Sequence, residues 1–245
     1  MSILVEWKEL AEELSRYSRL CYERRLVGAA GGNVSVRVPG RELALITATG
    51  VSLRDVAPGN LLVADLRGGV VENPAGLRPS KETGFHLGIY RLRADVGAVI
   101  HVHPTYAIVY SNLQVPVPLA TVSAENKLRQ GPVVRAASGG SEALEGMLLA
   151  AVEGSPTANV FLMERHGLTA FAPRPVGIAH ISVLFHPGVS TLQTGVVVTT
   201  VYVLRSGSVS WIWSPGRDSG ETSWASSMPI SREESLMLST TMKAR

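Results

Sequence analysis

The stretch PSKETGFHLGIYRLRADVGAVIHVHP, residues 79–104, carries both the helix and the strand around which the rest of the chain is arranged. Ser80 has the side chain of a good N-cap, and apolar residues recur after it at helical spacing. This pattern predicts a helix over residues 81–90. The polar residues at 91–95 indicate a turn before the next element.

A short apolar strand with two histidines follows that turn. Residues 96–100 read VGAVI, a run rich in β-branched side chains, which is typical of a buried strand. His101 and His103 come directly after it, and side chains two residues apart on a strand share a face. The pair suits two ligands of one metal ion, but it equally suits two hydrogen-bonded histidines without a chemical role.

His166 supplies a third imidazole at the end of a second apolar stretch, NVFLMERHG, residues 159–167. Three histidines that leave a coordination position open are typical of catalytic zinc, whereas structural zinc is usually closed by four protein ligands. Cys21, the single cysteine, falls on a predicted N-terminal helix, and we interpret it as a buried core thiol. The three histidines therefore predict a metal site that a substrate can enter.

Five sequence blocks, in the same order, resemble the class II, zinc-dependent aldolase and adducin family, which is typified by L-fuculose-1-phosphate aldolase. The blocks are GAAGGNVSVR (28–37), ITATGV (46–51), PSKE (79–82), AVIHVHP (98–104) and ERHGL (164–168). Together they cover roughly residues 5–172. The resemblance implies one three-layer α/β domain over residues 1–172, with a central mixed, largely antiparallel sheet flanked by helices.

The resemblance also implies roles for individual residues. The metal, zinc or another divalent ion, would be held by His101, His103 and His166. Glu82 would be the general acid/base that moves a proton at a substrate carbon; alone, it would read as an ordinary acid favoured by a helix N-terminus. A substrate phosphate would bind to three short turns through the residues Gly32, Asn33, Thr49, Gly50, Ser80 and Lys81.

Two more polar residues near these blocks have open interpretations. His86 lies four residues after Glu82 and hence on the same helix face. It is either a partner of the site or a packed, hydrogen-bonded histidine, and we favour the second. Family aldolases supply a catalytic tyrosine near residues 121–122, where this chain has none. Glu125 is a polar alternative nearby, or simply a solvated helix end.

The activity implied by the resemblance is that of a metal-dependent lyase. It would cleave or form a C–C bond in a phosphorylated ketose, joining dihydroxyacetone phosphate and an aldehyde. Ribulose-phosphate 4-epimerases and methylthioribulose-phosphate dehydratases share the same apparatus and are alternatives. A non-enzymatic alternative is an interaction module like the adducin head, which lacks the metal ligands. By resemblance, we expect a cytoplasmic homotetramer that acts on a small phosphorylated sugar.

Composition and charge restrict the class of protein further. Hydrophobic residues make up 45% of the chain and charged residues 18%, as in globular proteins. No apolar run approaches the roughly 18 residues of a membrane helix, and the N-terminus lacks a signal-peptide pattern. The net charge of +3 is small and scattered, which argues against a nucleic-acid partner. One cysteine excludes an intrachain disulfide and fits a reducing cytoplasm.

Local patterns predict the remaining elements. Apolar residues at helical spacing predict an amphipathic helix over residues 2–26. Alternating residues bounded by turn residues predict an antiparallel meander after it. The predicted strands are 34–38, 43–47, 61–65, 70–72 and 131–135. The predicted later helices are one that starts with residues 106–110, one over 124–130, and one over 141–152 that is capped by Ser141.

Residues 173–245 change in character. From Phe171 to Arg217 the chain has three arginines and no Asp, Glu or Lys, and residues 195–204 have β-propensity without a helical period. Family members have charged helices after the His-Gly motif, and almost nothing here matches them. Two interpretations are open: a replacement particular to this lineage, or a shifted reading frame in the gene sequence, which we favour.

Overall fold

A seven-stranded antiparallel sheet forms the centre of the fold in the computed structural model, which describes residues 2–119 and 122–173. The strands are β1 (Asn33–Arg37), β2 (Leu43–Thr47), β3 (Leu61–Asp65), β4 (Val70–Glu72), β5 (Ala98–Val102), β6 (Val160–Met163) and β7 (Gly167–Ala172). Their order across the sheet is β4-β3-β2-β1-β5-β7-β6. The C-terminal segment that differs in character, residues 173–245, lies outside the described residues from residue 174 onward.

Helices cover both faces of the sheet. They are α1 (Ile3–Glu6), α2 (Lys8–Glu23), α3 (Thr83–Leu92), α4 (Thr105–Leu113), α5 (Val122–Lys127) and α6 (Glu142–Glu153). Residues of α2 and α4 share one core with Ile100 of β5, whereas residues of α3 and α6 share the other with Val99. The expected three-layer α/β architecture is therefore confirmed. None of the helices in these ranges has the length and apolar character needed to span a bilayer.

β5 is the strand that places the histidines. All of its residues are buried, as expected for a strand covered on both faces. Its register pairs His101 with Asn33 of β1 on one side and with Thr169 of β7 on the other. The glycine-rich turn that precedes β1, the end of β5 and the β6–β7 hairpin consequently meet at one end of the sheet.

The helix α3 begins later than predicted, at Thr83 rather than at residue 81. Pro79 forms an isolated bridge with the chain just after β2, and the Thr83 N–H donates to the Ser80 carbonyl in a turn. The Ser80 hydroxyl accepts from the Glu82 N–H at 3.3 Å and does not cap the helix. Glu82 is the N-cap residue instead, so its side chain projects from the start of the helix rather than from its first turn.

Two other predictions are wrong in detail. The single N-terminal helix is broken at Trp7, whose ψ of 39° separates α1 from α2. The segment 131–135 forms only an isolated bridge at Val134, because Pro132 has no N–H for a strand ladder. By contrast, β2, β3 and β4 have the predicted bounds, and the Ser141 hydroxyl caps α6 as predicted.

Candidate metal centre

Three histidines meet where β5 ends beside the β6–β7 hairpin. His101 is fully buried in β5, His103 follows β5 directly, and His166 lies in the turn between β6 and β7. One ring nitrogen of each lies within 4.8 Å of the others. The Nε2 atoms of His101 and His103 are 2.8 Å apart, so the two imidazoles converge as their spacing on the strand predicts.

Glycines allow the neighbouring segments to approach these histidines. A Cβ on Gly167 would overlap the Val102 carbonyl oxygen and lie 2.9 Å from His103 Cδ2. Gly32 has a φ of 76°, and a Cβ there would lie 2.8 Å from the His101 carbonyl oxygen. Only a residue without a side chain fits at either position, so both glycines hold the site together.

Glu82 brings a carboxylate to the same place. Its Oε1 lies 3.2 Å from His166 Nε2, and its Oε2 lies 3.4 Å from His101 Nε2. The Asn33 Nδ2 group donates to Oε2 at 2.8 Å. The carboxylate side chain is 11% exposed, so few water molecules can reach it.

Burial and these contacts set the charges of the site. Burial alone would raise the pKa of Glu82, but hydrogen bonding to His166, the neighbouring His101 and the Asn33 amide hold that pKa far below its usual range. Burial lowers the pKa of His101 to about 3 and also lowers the pKa of His103. The site therefore offers an ionised carboxylate at Glu82 and neutral imidazoles at His101 and His103, which are the protonation states that metal binding requires.

This donor set fits a divalent metal ion. Two nitrogens bound to tetrahedral zinc at about 2.0–2.1 Å stand roughly 3.3 Å apart. The facing nitrogens of His101 and His103, at 2.8 Å, need only a small separation to reach that distance. The other nitrogen of His101, Nδ1, lies 3.2 Å from Thr169 Oγ1, a contact of the kind that orients a metal-binding imidazole.

The turns predicted to bind phosphate lie beside this cluster. The Thr49 N–H donates to the Arg78 carbonyl at 3.0 Å, which joins the Thr49–Gly50 turn to the Ser80–Lys81 turn. Gly50 and Lys81 are exposed, while Thr49 and Ser80 are partly exposed. Their amide, hydroxyl and ammonium groups are thus available on neighbouring loops.

Asn33 differs from the other predicted phosphate ligands. Its Nδ2 donates to Glu82, and its Oδ1 lies 2.6 Å from His86 Nε2. The residue is 5% exposed. Both ends of its carboxamide are therefore hydrogen-bonded to protein groups, and one N–H of Nδ2 is committed to Glu82. Sequence reasoning did not find this link between Asn33 and Glu82.

A second feature that the sequence did not indicate is the loop that borders the site. A cavity of about 550 Å³ opens beside His166 and is lined by residues 136–139, Glu164 and Arg165. A Cβ on Gly139 would lie 3.5 Å from His166 Cε1 and 3.7 Å from Glu82 Oε1. The Gly139–Gly140 dipeptide is a turn signal, but a turn signal alone says nothing of the distant residues it will face.

The fold and the site together define a class of protein: a three-layer α/β domain with three imidazoles that could hold a metal ion beside a carboxylate. Residues 12–184 match the family model described as the Class II Aldolase and Adducin N-terminal domain. The chain belongs to this family, as the five sequence blocks indicate.

Known relatives within the family carry different activities in their names. The chain is 35% identical over 113 residues to L-fuculose phosphate aldolase of Methanococcus maripaludis strain S2, covering 46% of this chain and 59% of that protein. It is 37% identical over 106 residues to methylthioribulose-1-phosphate dehydratase of Pseudomonas syringae pv. tomato, covering 43% and 50%. Other relatives have epimerase and decarboxylase names.

A solved L-fuculose 1-phosphate aldolase shares the fold. The two structures match with a TM-score of 0.61 and 23% sequence identity, over 96% of each chain. The family match establishes a class II aldolase superfamily member, and the similarity to the solved structure supports the fold. They leave the particular reaction to be argued from the site.

Proposed function

We propose that the protein is a metal-dependent lyase that cleaves or forms a C–C bond in a phosphorylated ketose. The observation that carries this proposal is the position of Glu82, within 3.2 Å of His166 Nε2 and 3.4 Å of His101 Nε2. A carboxylate beside three convergent imidazoles can move a proton close to a place where negative charge is stabilised.

The three histidines would be the metal ligands, with zinc as the proposed ion. When bound, such a metal supplies Lewis-acid stabilisation of negative charge on substrate oxygen atoms. The chain supplies preorganisation, because β5 fixes His101, the β6–β7 turn fixes His166, and Thr169 orients the His101 ring. Imidazole donors also suit other divalent ions, so the choice of zinc follows from the family resemblance.

Glu82 would accept the proton from the substrate carbon next to the carbonyl group and later return it. Its lowered pKa keeps it in the ionised form that a base requires. The Asn33 amide and the neighbouring histidines stabilise that negative charge. The small exposed fraction of the side chain limits competition from bulk water.

The substrate phosphate would lie across the neighbouring turns. The backbone at Gly32 and Gly50 and the side chains of Thr49, Ser80 and Lys81 offer hydrogen-bond donors from these turns. The ammonium group of Lys81 would add a point charge. The side chain of Asn33 would serve Glu82 rather than the phosphate.

Among the reactions of this family, we favour aldol cleavage and formation with dihydroxyacetone phosphate and an aldehyde. The 4-epimerase and dehydratase reactions are second candidates, supported by relatives with those names. Val122 is 72% exposed and Glu125 is also exposed, while residues 120 and 121 lie outside the described ranges. Because no tyrosine stands at this place in the sequence, we expect the natural aldehyde to differ from that of fuculose phosphate.

A homo-oligomer, tetrameric by resemblance, belongs to the same proposal, as does a cytoplasmic location. Three apolar side chains near the end of α4 and in α5 are exposed in the single chain: Leu113 at 50%, Val115 at 40% and Val122 at 72%. Assembly of identical chains would cover such surface.

Metal content tests this proposal most directly. We expect elemental analysis to find about one zinc per wild-type chain, and His103→Ala to lose it while keeping the wild-type circular dichroism spectrum. His180→Ala, at a histidine without an assigned role, is the matched control and should keep the metal. The metal-bearing protein should then turn over dihydroxyacetone phosphate with an aldehyde. Folded wild type that binds no metal would refute the lyase mechanism and leave an adducin-like binding module.

A further inference from the structure

The side of β1 that faces α3 carries a buried chain of four polar side chains, of which the proposed chemistry uses only Asn33. Asn33 and Ser35 lie on β1, His86 and Tyr90 lie on α3, and none of the four is more than 5% exposed. His86 Nε2 is 2.6 Å from Asn33 Oδ1, and His86 Nδ1 is 2.7 Å from Ser35 Oγ. Ser35 Oγ is in turn 2.8 Å from the Tyr90 hydroxyl.

The carboxylate of Glu82 fixes the direction of each hydrogen bond in this chain. An ionised carboxylate only accepts, so Asn33 donates through Nδ2 and turns Oδ1 towards His86. His86 must then donate through Nε2. Because burial lowers the pKa of His86 to about 3, the ring is neutral and its Nδ1 accepts from Ser35. Ser35 in turn accepts from Tyr90.

We propose that His86 is a positioning residue that acts on Glu82 through Asn33. By donating to Asn33 Oδ1, the imidazole holds the carboxamide in the orientation that points its NH₂ group at Glu82. A carboxamide rotated by half a turn would present its oxygen to the carboxylate and repel it. The effect on catalysis rests on the proposed function, whereas the hydrogen-bond arrangement stands without it.

A packing role does not account for this histidine. The ring stacks on Phe85 with centroids 5.0 Å apart, and an apolar ring would fill the same space. Burying two ring nitrogens costs free energy unless both are hydrogen-bonded. In His86 both are bonded, one towards the site through Asn33 and one away from it to Ser35. The two contacts can therefore be removed separately.

Two substitutions separate them. In His86→Gln the terminal amide reaches about as far as Nε2, so an N–H group can still donate to Asn33 while the bond to Ser35 is lost. In His86→Asn the shorter amide reaches about as far as Nδ1, so the bond to Ser35 remains while the donor to Asn33 is lost. Each variant puts a neutral amide in the same buried space, and each is the control for the other.

Kinetics of the metal-loaded variants should differ in a way that packing alone would not produce. We expect kcat of His86→Asn to fall about 10–100-fold, the range typical of residues that orient the acting groups of a site through hydrogen bonds. KM and metal content should stay near the wild-type values, because neither the phosphate turns nor the three ligands change. His86→Gln should retain most of the wild-type kcat. Equal losses of kcat and of Tm in both variants would overturn the positioning role.

A measurement on the metal-free protein separates this inference from the proposed function. ¹⁵N spectra of labelled histidine should show His86 as the neutral Nε2–H tautomer. The Asn33 side-chain amide protons should exchange slowly with solvent in wild type and His86→Gln, and faster in His86→Asn. An Nδ1–H tautomer or a charged ring would overturn the inference even in an active enzyme. The expected spectra in a protein without sugar-phosphate turnover would support it and refute only the lyase assignment.

Discussion

Glu82 is the residue whose chemistry can be changed with the least disturbance to the three imidazoles. Glu82→Gln keeps the shape of the side chain but cannot take up a proton. We expect kcat to fall by about 10²–10⁴-fold, the usual contribution of a general acid/base. Metal content should be unchanged, because the three histidines remain. Steady-state kinetics and elemental analysis of the same preparation measure both quantities.

The matched control for this variant is Glu153→Gln. Glu153 is exposed at the end of α6, and the chemical change is identical, so kcat should stay at the wild-type value. If Glu82→Gln lost its metal together with its activity, Glu82 would be a ligand of the ion rather than a proton carrier.

At this scale the sequence predicts some contacts and not others. His101 and His103 are two positions apart on one strand, so strand geometry alone predicts that they converge. Asn33 and His86 are 53 positions apart, and only the packing of α3 on β1 makes them neighbours. A single sequence contains no signal for that packing, and the engagement of Asn33 with Glu82 was consequently missed.

At the scale of elements, the approach of the β6–β7 hairpin to β5 depends on Gly167. In Gly167→Ala the added methyl group would press on the Val102 carbonyl oxygen and lie 2.9 Å from His103 Cδ2. We expect the free energy of unfolding to fall by about 1–3 kcal/mol, as overpacked sites usually show. Metal binding should weaken because His103 is displaced. Urea denaturation and metal content measure the two effects.

Gly146→Ala in α6 makes the same chemical change where there is room for it. Apart from its chain neighbours and the nearby backbone of α6, no heavy atom of the described residues lies within 4 Å of the added Cβ. Alanine is favoured over glycine inside a helix by roughly 0.5–1 kcal/mol, so stability should stay level or rise. A Gly167→Ala protein with wild-type stability and full metal content would show that the hairpin can move away from β5 without loss.

Element types were predictable wherever periodicity and turn residues agree, and less so at boundaries. The meander β2–β3–β4 combines alternating strands with clear turn residues, and its bounds match. The start of α3 was misplaced, because Ser80 is a good capping residue by type but is held in a turn after Pro79. The segment 131–135 does not form the expected strand, because Pro132 has no N–H group to donate to a neighbouring strand.

At the scale of the whole molecule, buried imidazoles link folding to pH. Burial lowers the pKa values of His86 and His101 to about 3, compared with 6.5 for an unperturbed imidazole. Below pH 6.5 the unfolded chain takes up protons that the native protein does not, so acid favours unfolding. For each of these histidines, the free energy of unfolding of the metal-free protein should fall by roughly 1.4 kcal/mol per pH unit as the pH drops from 6.5 towards 3.

Urea denaturation midpoints above and below pH 6.5 test this dependence. The His86→Gln variant has one buried imidazole fewer and should show a smaller slope over the same window. A free energy of unfolding that does not change with pH across the window would contradict neutral, buried histidines in the native protein.

The fold class follows from the order of the five sequence blocks, which a single chain displays in full. Assembly does not follow in the same way, because single exposed apolar residues such as Leu113 are common on protein surfaces and do not identify a partner. The sequence changes character after residue 172, and the structure of this segment is not described from residue 174 onward.

The position of β7 between β5 and β6 has a consequence for the chain during its synthesis. β7 follows β5 by about 65 residues, although the two strands are neighbours in the sheet. A ribosome that adds about 5–20 residues per second needs roughly 3–13 s for that interval. Until then one edge of β5 lacks its partner, and an open strand edge is a template for pairing with other chains. The yield of folded protein thus depends on how fast translation proceeds and on whether chaperones shield that edge, and a more stable native state would not shorten the delay.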